Sequence, residues 1–121
     1  MTREVRYVIR LAGDHAGEPY RVSLDTPGAE LLLVSPRAIY LAYTRDRQLH
    51  YAGKVDRRNR GTVAQRLREH TRESRRKRAA WRTLWVVPIT DDMDSAGLVA
   101  LERAAIQLLQ PLANVQNGRA S

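Results

Sequence analysis

A chain of 121 residues with 43% hydrophobic content fits one compact domain whose core is large enough to fold without covalent staples. It contains no cysteine, which excludes disulfides and thiolate metal sites, and no apolar run near the ~20 residues needed to cross a bilayer. A net charge of +8 and a pI near 10.8 point to an anionic partner, and the absence of an apolar leader makes the cytoplasm the expected location.

In chain order, residues 5–11 (Val-Arg-Tyr-Val-Ile-Arg-Leu) and 19–24 (Pro-Tyr-Arg-Val-Ser-Leu) read as short strands, with a Gly/Asp/His loop over 12–18. Residues 29–34 fit either a strand or a helical turn, because the apolar run is too short for its period to decide. Pro36 marks a break. Residues 38–44 and 48–53 then read as a β-hairpin turning at Thr-Arg-Asp-Arg. Thr62 is placed to cap a helix over 63–74, and the basic cluster 75–78 continues it or starts another. Residues 82–89, rich in β-branched residues and tryptophan, read as a strand ending near Pro88. A last helix starts at Asp94 or Ser95 and runs to about Gln110, where Pro111 stops it. From Ala38 onward the order is therefore strand, strand, helix, its continuation or a second helix, strand, helix, preceded by two short strands and followed by a frayed tail at 116–121.

Twelve of the 21 basic residues lie between Lys54 and Arg82, among only three acids, Asp56, Glu69 and Glu73. Lys54, Arg57, Arg58, Arg60, Arg75, Arg76, Lys77 and Arg78 are the candidate contacts to a phosphate backbone. A membrane surface fits less well, since the segment lacks the large apolar face of an interfacial helix. In the hairpin, an even-length turn centred between Arg45 and Asp46 sets Tyr40 directly across from Tyr51, on one face of the sheet. Taken alone, that is more often an aromatic packing pair than a reactive one. Gly53, followed by Lys54, admits a phosphate close to the backbone. Arg66 and His70, at i and i+4, share a helix face and combine a phosphate fork with a proton carrier, although a solvated face explains the spacing equally well.

Glu102 is the sharper anomaly. Leu98, Leu101, Ala105, Leu108 and Leu109 make an apolar stripe, and Glu102 projects from its edge. A carboxylate there requires a salt bridge or a metal ion, and with no His or Cys cluster nearby a hard cation such as Mg²⁺ suits it better than zinc. Asn114, in Leu-Gln-Pro-Leu-Ala-Asn, reads as a turn-capping amide. Trp81 and Trp85 read as packing residues, and His15 as a loop residue. His50 alternates to the face opposite Tyr51. Asp91, Asp92 and Asp94 suit a helix N-terminus as well as a metal cluster.

The order of these features resembles the GIY-YIG nuclease superfamily. Ala38-Ile39-Tyr40, a short hairpin and Tyr51-Ala52-Gly53-Lys54 are similar to its naming signature. Arg66 to His70 resembles its Arg-x-x-x-His helix, Glu102 its metal-binding glutamate, and Pro111 to Asn114 its terminal Pro-x-x-Asn. Two positions depart from the pattern: Ala38 stands for the first glycine and Ala52 for the second isoleucine. The stretch from Asp56 to Gly61 lengthens the connection to the helix as a basic loop. The resemblance covers residues 37–115 and implies an α+β fold, a small central antiparallel sheet flanked by helices, with residues 1–36 as a β-rich N-terminal extension, a β-hairpin packed on the domain. It implies a hydrolase, an endonuclease that cuts phosphodiester bonds in nucleic acid, DNA foremost, with Mg²⁺ or Mn²⁺ held by Glu102. It assigns water activation to a tyrosine, taken here as Tyr40. Tyr51, Arg66 and Lys54 would position the phosphate, His70 would accept a proton, and Asn114 would support the site. A catalytically idle basic DNA-binding module on the same fold, and a nuclease subunit active only in a larger complex, are the alternatives; a homodimer or a partner protein is a candidate means of targeting.

Overall fold

The computed structural model describes residues 1–26, 35–56, 80–112 and 114. The elements in order are α1 (Arg3–Ala12), a 3₁₀ turn (Gly13–His15), β1 (Tyr20–Ser23), β2 (Arg37–Thr44), β3 (Leu49–Asp56), β4 (Trp81–Pro88) and α2 (Ser95–Leu109). The four strands form one antiparallel sheet in the order β1-β4-β2-β3, so the fold is α+β with two helices among the described residues. Neither is long and apolar enough to cross a membrane. The expected helix at 63–74, the cluster 75–78, the run 29–34 and the tail 116–121 lie outside the described residues.

The N-terminal extension is not the expected hairpin: residues 3–12 are helical. Val5, Tyr7, Ile9 and Leu11 alternate as a strand would, but Val8 interrupts the alternation, and the buried set is Val5, Val8 and Ala12, spaced for a helix. Thr2 caps the start, its hydroxyl accepting the Val5 N–H at 3.2 Å, and Gly13, with φ of 59°, ends it. The second half of the extension does add a strand, because β1 pairs with β4 from Tyr20↔Val86 to Ser23↔Thr83.

Successive side chains of β2 enter two separate apolar layers, which is why the strand is buried from Arg37 through Tyr43. Ala38, Tyr40 and Ala42 join Val22, Val55, Trp81, Leu84 and Val86 on one face. Ile39, Leu41 and Tyr43 join Ala52, Val87 and the apolar sides of α1 and α2 on the other. Asp94 caps α2 by accepting the Gly97 N–H at 2.7 Å, and Gln110, left-handed with φ of 48°, closes it before Pro111.

Tyr43 ties α1 to the sheet. Its hydroxyl donates to Glu4 Oε1 at 3.0 Å and lies 2.6 Å from Thr2 Oγ1, which in turn donates to it. Burial, more than these bonds, pushes the phenol well above the ordinary value of about 10. The folded chain therefore keeps a proton that the unfolded chain gives up. The associated stability is complete below about pH 10 and falls as pH rises beyond it. Urea unfolding between pH 8 and 11 should show a smaller alkaline loss in Tyr43→Phe than in the wild type.

Candidate functional site

The hairpin brings Tyr40 and Tyr51 to one face of the sheet, but not directly opposite each other. Tyr40 pairs with Gly53 and Ala42 with Tyr51, and the register then slips at a bulge between Ala42 and Tyr43. The expected face is right because the register is displaced by two residues in all; the expected partner is wrong because the turn closes from Thr44 to Gln48, centred on Asp46, and the bulge adds a second residue. The tyrosines are diagonal neighbours with ring centroids 6.2 Å apart. Tyr51 also stacks on Trp81 at 5.4 Å, and the Trp81 indole N–H donates to His50 Nδ1 at 3.0 Å; His50 is the extra residue of the bulge, which breaks the expected alternation and lets it reach the tyrosine-side cluster.

Gly53 makes this arrangement possible. A Cβ at that position would stand 2.6 Å from the Tyr40 hydroxyl oxygen, 2.7 Å from its Cζ and 3.0 Å from a ring carbon of Tyr51. The Tyr40 ring lies in the space a side chain would fill, and because Tyr40 is 0% exposed it has nowhere to move. Gly53→Ala should therefore lower stability by about 1–3 kcal/mol through overpacking. Adding Tyr40→Leu should recover part of that loss, giving a non-additive cycle in denaturant unfolding.

The two tyrosines differ in access: Tyr40 is sealed in the core, whereas Tyr51 is half-buried. Lys54 does not join them. It pairs with Ile39, and strand alternation sends it to the face that carries the helices. Glu102 is half-buried on α2, whose neighbours Leu98, Leu101 and Ala105 pack on that same helix-bearing face. A site shared by Glu102 and the tyrosines requires the carboxylate to come round the outer edge of β3, the strand that α2 contacts.

Asn114 does reach that edge. Its Oδ1 accepts the Ala52 N–H at 2.8 Å and its Nδ2 donates to the Ala52 carbonyl at 3.1 Å. The amide thus occupies the outward backbone groups of β3 as a neighbouring strand residue would, rather than capping the turn after α2. The residue it clasps is the immediate neighbour of Tyr51. Arg66, His70, Arg57, Arg58, Arg60, Arg75, Arg76, Lys77 and Arg78 lie outside the described residues.

Among the described residues no three His, Cys, Asp or Glu side chains gather as a metal-binding group. Asp94 is occupied as the α2 cap. Asp92 accepts hydrogen bonds from the Thr90 hydroxyl and from His15, which hold its carboxyl below its ordinary range.

One polar centre was not anticipated. Arg37 is 1% exposed; its Nε donates to Asp56 Oδ1 at 3.0 Å and its Nη1 to the Thr90 carbonyl at 2.7 Å. Asp56 Oδ2 also accepts the Ser95 hydroxyl at 2.6 Å, joining the end of β3 to the start of α2. Asp56 is the last residue of a strand, not the first of a basic loop. The sequence signal for this pair is faint: an arginine in an otherwise apolar strand run beginning at Pro36. No family model matches the chain, and no curated protein matches it.

Proposed function

We propose that the chain is a divalent-metal-dependent endonuclease of the GIY-YIG type, acting on phosphodiester bonds of nucleic acid, with DNA the expected substrate. The observation that carries the reading is the tyrosine pair packed over Gly53, set within the ordered pattern that continues through Glu102 and Asn114. Tyr51 takes over the role first given to Tyr40, because water reaches a half-buried phenol and not one with 0% exposure. A phenol with an ordinary pKa near ~10 is a weak base at neutral pH, so it needs neighbouring cations or a proton acceptor. Arg66 and His70 are the residues that the resemblance offers for those tasks. Tyr40 then supports Tyr51 from behind, and Asn114 fixes the backbone beside it. Mg²⁺ or Mn²⁺ at Glu102 would supply charge neutralisation at the phosphate.

A second reading has specific support. Glu102 lies on a helix that packs on one face of the sheet, and Lys54 is directed to that face, while the tyrosines point to the other, an arrangement suited to an idle nucleic-acid-binding module. Labelled supercoiled, linear, branched and single-stranded DNA incubated with Mg²⁺ or a chelator separates the two. The nuclease reading expects metal-dependent cutting that falls by about 10²-fold or more in Tyr51→Phe. Salt-sensitive binding without cleavage under any divalent ion selects the idle module. Cutting undiminished in Tyr51→Phe removes Tyr51 from the chemistry.

A further inference from the structure

At the turn end of the sheet, between the start of α1 and the β2–β3 turn, lies an open groove of about 590 Å³. Arg21, Arg45, Arg47 and Arg82 line it, and Asp25 is the one acid among the described residues of its wall. None of these arginines belongs to the basic run that begins at Lys54, apart from Arg82 at its end. They come from three separate parts of the chain: β1, the hairpin turn and β4.

We infer that this groove holds the phosphodiester backbone of a nucleic-acid strand, as a contact surface distinct from the tyrosine pair. Four guanidinium groups around one cleft repel one another, and one carboxylate does not offset them; an anionic occupant does. Their placement is also structured. Arg82 is steadied by Asp25 at 3.8 Å and by the Trp81 carbonyl at 3.0 Å. Arg47 sits at a left-handed φ of 65°, its N–H donating to the Thr44 carbonyl at 2.9 Å, which holds the tight turn that carries Arg45 and Arg47. Guanidinium forks match phosphate oxygens in pairs, and Trp85 on the groove wall adds an aromatic surface beside them. A compact phosphate would satisfy one or two of these forks, whereas a strand running along the groove meets arginines from the turn, β4 and β1 in succession. Only the link from this surface to cleavage rests on the nuclease reading; the binding itself does not.

The test measures affinity for a fluorescent DNA duplex across a salt series. It compares the wild type with Arg45→Gln/Arg47→Asn and with Arg21→Gln; asparagine at 47 tolerates the positive φ. Exposed Arg103→Gln, on α2, is the control, and circular dichroism checks folding. Each lost phosphate contact should reduce the slope of log affinity against log salt by about 0.9, with weaker binding throughout, while Arg103→Gln leaves both unchanged. Slopes equal to the wild type in all groove variants overturn the proposal, even if the protein cuts DNA. Reduced slopes in a protein that never cuts sustain the groove and discard the nuclease. Loss of binding to phosphatidylserine vesicles, with DNA affinity unaltered, overturns it in favour of an anionic lipid surface.

Discussion

Glu102→Gln is expected to lower metal-dependent DNA cleavage by at least about a hundredfold while leaving DNA affinity close to that of the wild type. Glutamine keeps the length and hydrogen-bonding capacity of glutamate and removes the charge that would hold a hard cation. The basic surface proposed to carry DNA affinity is untouched, so binding and cutting should separate. Three outcomes are informative. Selective loss of cutting places the carboxylate in the chemistry, and therefore round the edge of β3 from the helix-bearing side. Joint loss of binding, cutting and stability assigns Glu102 a structural ion pair instead. Equal cutting by both proteins identifies a contaminating nuclease and withdraws the assignment.

The largest effect on stability is expected at Asp56. Replacing it with alanine leaves Arg37, 1% exposed, without its carboxylate and should cost about 3–5 kcal/mol. The remaining bond from Arg37 to the Thr90 carbonyl does not neutralise a buried guanidinium. Ser95→Ala removes a hydrogen bond to the same carboxylate without stranding a charge, and should cost only about 1 kcal/mol. The double replacement Arg37→Met/Asp56→Leu should be far milder than Asp56→Ala, because it removes both desolvation penalties and leaves apolar volume behind. Chemical denaturation of the wild type and the three variants ranks these costs. If Asp56→Ala costs no more than Ser95→Ala, the pair is solvated in solution and its structural role is small.

The parts of the fold that sequence reading located are those with redundant signals. The hairpin has alternating strands and a polar turn, β4 has its tryptophans and valines, and α2 has a capping aspartate at one end and Pro111 at the other. Helix α1 was missed because β-branched Val5, Val8 and Ile9 favour a strand by propensity. The contrary signals, capping Thr2 and the mistimed Val8, weigh little without a sheet to pack against. The site divides in the same way. That Tyr40 and Tyr51 share a face follows from a period of two, but a bulge leaves no mark in composition, so their diagonal offset and the ring over Gly53 were not legible. Lys54 fell on the wrong side for a simpler reason: it follows Gly53, and adjacent strand residues face apart. Arg37 and Asp56 are 19 positions apart, and each alone passes for a surface charge. Nor does the pattern Pro-x-x-Asn say that its amide will grip a strand edge.

That grip bears on how copies of the chain can meet. A strand offered to β3 from another molecule would need the outward N–H and C=O of Ala52, and Asn114 already holds both. The row of backbone groups is interrupted at mid-strand, where templating would have to pass. The opposite margin of the described sheet is β1, only four residues long and correspondingly poor as a template. Continuous sheet growth between molecules is thereby blocked at one border and curtailed at the other. For the described sheet, side-chain surfaces are therefore the more favourable ground on which two copies could meet.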